Sequence, residues 1–276
     1  MTITLFGHKL DFLAALGFAI ILTYVFLAIF APLLAPFGEA EIVGDAWGPI
    51  DGAHWLGTDN LGRDLLSRLL YGGRVSIGLS IAITCLCFVI GVSSGLLAAV
   101  VGGWIDLVLC RLVDLMLSIP TLIFVFIILS GLGSDLYVLV VTIALIDSTK
   151  VFRLTRSVAL GLVEMEFVDA ARARGENFWW IMRAEILPNA LSPLIAEFGL
   201  RFCFTFLFVA ALSFLGLGVQ PPNADWGSMV KDYADVINLG LLAPLLPAGA
   251  IALLTVGVNF VADWLLRLRD ASQGAA

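Results

Sequence analysis

One polar stretch, Glu164 to Pro188, stands between long apolar runs and reads E-M-E-F-V-D-A-A-R-A-R-G-E-N-F-W-W-I-M-R-A-E-I-L-P. Asp169, Arg172 and Arg174 are placed in it to meet a soluble partner through charge. The chain shows no phosphate-binding glycine loop, no nucleophilic triad and no metal-ligand cluster. The chemistry on offer is therefore docking rather than bond making. Positioning these groups calls for two short helices. Glu166 to Arg174 is built of strong helix formers, and Gly175 falls where a helix would stop in a left-handed cap. Asn177 can cap a second short helix, whose apolar members Phe178, Trp179, Ile181 and Met182 would seat it against something greasy, and Pro188 would close it. The stretch predicts a helix–Gly–helix elbow outside the bilayer.

The rest of the chain is what such an elbow must be mounted on. It has 276 residues, 61% hydrophobic and only 13% charged, with a mean hydropathy of +1.04. That excludes an ordinary soluble domain and indicates a membrane protein. A net charge of −7 argues against nucleic acid, which calls for a basic footprint. Cys85, Cys87, Cys110 and Cys203 lie in or next to apolar runs and read as buried small hydrophobes. His8 and His54 have no Cys or carboxylate partner at ligand spacing.

Phe12 to Ala35 is long enough to cross a bilayer and too long for the apolar core of a signal peptide, so it reads as an uncleaved first span. From Gly38 to Gly73 the chain turns polar, and Gly57 to Tyr71 predicts a surface helix capped by Thr58 or Asp59. Its greasy face would be Leu61, Leu65, Leu66, Leu69 and Leu70. Further apolar runs at Ser76–Val101, Leu107–Leu132, Leu136–Val151, Leu194–Val219 and Leu241–Leu265 bring the expected spans to six. Pro120 should kink the third. Placing the N-terminus inside leaves Arg63, Arg68, Arg74 and Lys231 outside and the rest of the fifteen Lys and Arg inside. That orientation puts both termini and the elbow in the cytoplasm.

Charges at the edges of the spans form three groups: Arg111 with Asp114, Glu197 with Arg201, and Asn259 with Asp263 and Arg267. Each is expected to pair within its own helix near a membrane face and to fix packing. Asp147 and Lys150 fall near the end of the short fourth run. Phe202, Phe204, Phe206, Phe208 and Phe214 make the fifth span aromatic and suit helix or lipid packing.

Asp169-Ala170-Ala171, three intervening residues, Gly175, and Leu187-Pro188 with the proline thirteen after the glycine resemble the cytoplasmic Glu-Ala-Ala loop of bacterial ABC importer permeases. Asp169 replaces the usual Glu, and Glu185 stands in a slot the pattern makes apolar. His54 to Ser76, H-W-L-G-T-D-N-L-G-R-D-L-L-S-R-L-L-Y-G-G-R-V-S, is similar to a segment of the C-type permease of the peptide, opine and nickel branch, apart from Trp55 where proline is usual. Leu215 to Pro222 and Asp225-Trp226-Gly227 resemble the same branch, and the first span matches its extra N-terminal helix. The resemblance covers about His54 to Leu268, beyond that first span.

This resemblance implies an all-α polytopic protein of the type I ABC importer permease fold, multi-pass in a bacterial inner membrane. Residues 1–73 would hold the first span and a periplasmic segment with its interfacial helix, 74–268 a five-helix transmembrane domain, and 269–276 a cytoplasmic tail. The implied partners are a sister permease, two cytoplasmic ATPase subunits that bind the ATP, a periplasmic substrate-binding protein, and membrane lipid. The implied ATPase-coupling residues are Glu166, Asp169, Ala170, Ala171, Arg172, Gly175 and Pro188. The chain itself would need no cofactor and catalyse nothing, and its cargo would be a dipeptide, a longer peptide, an opine or nickel. A secondary transporter would need acids at mid-membrane, and a membrane-embedded enzyme a convergent nucleophile or metal set; the sequence displays neither.

Overall fold

A computed structural model describes residues 4–5, 8–9 and 11–273. Apart from a two-residue pairing of β1 (Thr4–Leu5) with β2 (His8–Lys9), it is helical. The long helices are α1 (Phe12–Leu34), α2 (Leu65–Val101), α3 (Gly103–Leu117), α4 (Thr121–Leu132) and α5 (Leu136–Val163). The elbow follows as α6 (Glu166–Ala173), α7 (Phe178–Trp180) and a π-helical segment (Ile181–Ile186) leading into α8 (Leu187–Phe214). Then come α9 (Trp226–Asp232), a 3-10 turn (Ala234–Leu239) and α10 (Leu245–Gln273). The chain divides into two compact units, with boundaries after Ile81 in α2, after Phe198 in α8 and after Leu268 in α10.

Four helical stretches are long and apolar enough to cross a membrane, or five if α3 and α4 count as one broken span. The expected six are not reached because α5 carries Asp147, Lys150, Arg153 and Arg156 along its length. The third expected span is broken rather than kinked, with an 88° bend between α3 and α4. Pro120 has no N–H to continue the first helix and forces Ile119 out of the helical region, so the chain turns at Ser118–Pro120. The fourth run continues to Val163, twelve residues past its predicted end. α10 runs on to Gln273, and residues 274–276 lie outside the described residues.

The unit that contains α1 and α10 is held by aromatic packing and by buried charge. Trp226 meets Tyr24 and Phe206 edge-on, with centroids 5.6 and 6.1 Å away, and donates its Nε1–H to the Leu69 carbonyl at 2.8 Å. Asp225 caps α9 on the Ser228 amide and accepts the Ser76 hydroxyl at 2.7 Å. Gly17 of α1 and Gly257 of α10 bring two backbones together: a Cβ on Gly17 would stand 2.6 Å from the Gly257 carbonyl oxygen. The predicted surface helix does not form. Residues 57–64 are a loop buried apart from Asn60 and Leu61, and the helix starting at Leu65 runs on without a break as α2. Thr58 and Asp59 are spent elsewhere. Thr58 Oγ1 donates to the Asp45 carbonyl, and Asp59 takes Arg63 Nε at 2.7 Å beside Arg68 Nε at 3.3 Å. Arg267 reaches Asp11 at 3.3 Å, a pairing across helices rather than within one. Phe202 and Phe206 are core residues, whereas Phe204 and Phe214 are exposed.

In the other unit, α2 and α5 approach through small residues. A Cβ on Gly91 would meet Val151 Cβ at 2.6 Å, and one on Gly95 would meet Thr155 Cβ at 2.8 Å. Two inter-helix ion pairs hold α3 against α5: Arg156 with Asp106, and Arg153 with Asp114 at 2.7 Å. Asp114 therefore pairs across to α5 and not with Arg111 on its own helix. Cys87 and Cys203 are buried as expected, but Cys85 is exposed.

Candidate functional site

The elbow forms as its local sequence dictates. Glu166 and Asp169 occupy the first turn of α6 and Arg172 its last, an arrangement that complements the helix dipole. Val168 and Ala171 are fully buried, packed with Leu96 and Ala99 of α2 and Ala159 of α5. Glu166, Asp169, Ala170 and Arg172 face outward on the same helix. The Arg172–Asp169 pair, at 3.4 Å and exposed, contributes about 0–1 kcal/mol and leaves both groups available.

The turn after α6 is a Schellman cap. Gly175 N–H donates to Arg172 O at 2.9 Å and Glu176 N–H to Ala171 O at 3.2 Å. Gly175 has φ +83°, and nothing lies within 4 Å of where its Cβ would be. Glycine is needed for the backbone angle and not for space. Asn177 Oδ1 accepts the Trp180 amide at 2.9 Å and starts the second arm, as its position predicts. Arg174 latches the two arms, reaching Glu185 at 3.3 Å and lying 5.5 Å over the Trp180 ring.

Within the chain Ile181, Met182 and Ile186 do the seating, while Phe178 and Trp179, 40% and 57% exposed, stand on the arm's open side. One expectation about the second arm is overturned: Pro188 does not close it. It lies in the first turn of α8, and the π-helical segment before it carries the helix through, with Leu187 N–H bonding to Met182 O. The wider turn re-registers the backbone around a residue that has no N–H, and Asn189 Nδ2 donates to the Glu185 carbonyl at 2.6 Å. The second arm and α8 are thus one continuous helical stretch, Phe178–Phe214.

Of the seven elbow residues singled out from sequence, Glu166, Asp169, Ala170, Arg172, Gly175 and Pro188 are exposed, and Ala171 is a core residue. The site offers a stiff two-arm platform with charge and aromatic rings on its open face. Among the described residues no group of three or more His, Cys, Asp or Glu could hold a metal ion. Sequence reasoning missed the place of Asp147 and Lys150, a 2.8 Å ion pair in the middle of α5 rather than near its end. The signal was the run of helix formers after Val151, passed over because it is charged.

The family model described as binding-protein-dependent transport system inner membrane component matches residues 88–273. The chain is 37% identical over 265 residues to a dipeptide transport system permease protein of Alkalihalophilus pseudofirmus, covering 95% of this chain and 86% of that one. It is 36% identical over 275 residues to a di/tripeptide transport system permease protein of Pseudomonas aeruginosa, with 96% and 88% covered. A glutathione transport system permease protein of Pectobacterium atrosepticum is 33% identical over 255 residues, with 91% and 83% covered.

Proposed function

Because this chain belongs to the family of binding-protein-dependent transport system inner membrane components, we propose that its cargo is a short peptide and that α6 is the lever through which ATP hydrolysis on other subunits moves its spans. The chain is a multi-pass permease subunit and not an enzyme. Peptidic cargo is the common chemistry in the names of the three relatives above. A sister permease, two ATPases and a soluble binding protein complete the importer. Both termini and the elbow lie in the cytoplasm, on the side to which the Lys and Arg distribution assigns them.

The observation that carries the reading is the elbow's two-faced build. Val168 and Ala171 anchor it to α2 and α5, the opposite face is open, and the second arm continues into α8. When a partner grips the open face and moves, α5 and α8 are displaced as rigid helices, a transition between inward- and outward-open arrangements. Glu166, Asp169, Ala170, Arg172 and Gly175 form or shape the gripped surface; Ala171 fixes its base, and Pro188 sets the register of α8.

The test is reconstitution in proteoliposomes with the sister permease, both ATPases and loaded binding protein. Dialanine uptake should require ATP and every subunit. Uptake driven by a proton gradient without the ATPases would favour a secondary transporter.

A further inference from the structure

Neither chain neighbour of α3 continues its axis. At its N-terminal end Gly102 and Gly103 take φ +64° and +59°, and nothing lies within 4 Å of where their Cβ atoms would stand. Two successive residues at positive φ interrupt the helical run, and glycine adopts that conformation freely. At the other end the chain bends by 88° at Ser118–Pro120 before α4 begins. Helices joined through such breaks do not hold each other in line, so the orientation of α3 depends on what it touches sideways.

What it touches is α5. Arg156 grips Asp106 with two nitrogens of its fork, Nε at 2.5 Å and Nη2 at 2.6 Å, and Cys110 Sγ donates to the same carboxylate at 3.4 Å. Two turns further along α3, Asp114 takes Arg153 at 2.7 Å. Val113 of α3 packs with Phe152 of α5 and Ala98 of α2 beside them. The side chains of the Arg156–Asp106 pair are 30% and 21% exposed, those of Arg153–Asp114 58% and 51%. Water screens the second pair down to the strength of a surface salt bridge, so the bidentate first pair is the stronger tie.

We infer that Asp106–Arg156, seconded by Asp114–Arg153, ties α3 to the lever's own helix, so that α5 carries α3 with it when α6 is moved. The four side chains are positioning residues for transport. This rests on the lever reading above: α5 ends at Val163 and α6 starts at Glu166. With the tie cut, a partner gripping α6 still moves α5, but α3 no longer follows, and ATP turns over without transport.

The test compares Asp106→Asn, Arg156→Gln and the exchanged pair Asp106→Arg/Arg156→Asp in the full reconstituted importer with loaded binding protein. Two quantities are read on assembled complexes: ATP hydrolysis, and dialanine uptake per ATP hydrolysed. Each single variant should hydrolyse ATP within about twofold of wild type while uptake per ATP falls about tenfold, the shift that loss of one charged hydrogen bond produces. The exchanged pair restores opposite charges across the same gap and should recover most of that ratio. A pair that only held the fold would lower the yield of complex and leave uptake per ATP at the wild-type value; that result overturns the inference. An exchanged pair that assembles yet stays as uncoupled as Arg156→Gln overturns it too. Should the variants not assemble, spin labels at Leu112 of α3 and Leu160 of α5, both exposed, decide in an otherwise wild-type complex. Their separation should hold within about 2 Å with or without a non-hydrolysable ATP analogue, and a larger change would mean that α3 slides past α5. Gly175→Val and Asp169→Lys, run alongside, keep two failures apart. Wild-type coupling in both removes the lever reading and this inference with it; lost coupling there beside a normally coupled Asp106→Asn overturns the tie alone.

Discussion

Tyr233 donates its hydroxyl to Asp59 at 3.3 Å, joining residues 174 positions apart. Burial pushes the phenol's pKa well above its ordinary value, so it remains a donor. Asp59 is fully buried and also accepts the Leu61 and Arg63 amides at 2.8 and 3.0 Å, beside the Arg63 and Arg68 guanidiniums. Neutralising it strands two buried cations. Asp59→Asn should cost about 3–5 kcal/mol, and Tyr233→Phe, which removes one hydrogen bond, about 1 kcal/mol. Thermal unfolding in detergent distinguishes them, and equal losses would mean that Asp59 does not carry the loop.

At the elbow, Gly175→Val forces a β-branched residue to φ +83°, costing about 1–3 kcal/mol with no steric clash to add. That displaces α6 without unfolding the helices around it. Asp169→Lys reverses a charge on the open face. Both variants should insert and pair with the sister permease, while stimulated ATP hydrolysis and uptake fall together. Normal coupling in assembled complexes of both would sink the lever assignment.

Ala170 and Ala171 are adjacent on α6, one exposed and one fully buried. Ala171→Leu overpacks the seat beneath α6 and should cost about 1–3 kcal/mol of stability. Ala170→Leu should change stability by less than about 0.5 kcal/mol and still weaken ATPase binding. Co-purification of the ATPases, read beside melting temperature, gives both answers. If the two substitutions behave alike, α6 does not present the face described.

Two glycines of α2 should respond to alanine with opposite signs. Gly91→Ala drives a methyl group to 2.6 Å from Val151, whereas Gly78 has nothing within 4 Å of its Cβ position. Gly78→Ala should stabilise by up to about 1 kcal/mol, the helix-propensity difference; Gly91→Ala should destabilise by about 1–3 kcal/mol through overpacking. Melting temperatures of the purified chain decide it, and a neutral Gly91→Ala would show that α2 and α5 are not in backbone contact.

The membrane class, most of the apolar helices and the elbow's turn were determined by the sequence itself, because each depends on groups close together in the chain. A run such as Phe12–Leu34 spans lipid by its own composition, and Gly175 and Asn177 cap through hydrogen bonds to neighbours within five residues. What only the tertiary structure decided is where polar groups go when their partners are distant. Thr58 and Asp59 have the types and spacing of a helix cap, but partners from Asp45 to Tyr233 outbid the local helix and the loop is buried instead. Asp114 had Arg111 nearby on its own helix and pairs with Arg153, supplied by the packing of α5. Ala170 and Ala171 are chemically identical, and only the Leu96–Ala159 seat makes one core and the other surface. Local hydrogen bonding sets the element; burial, which sets the role of each face, is a property of what the rest of the chain brings to it.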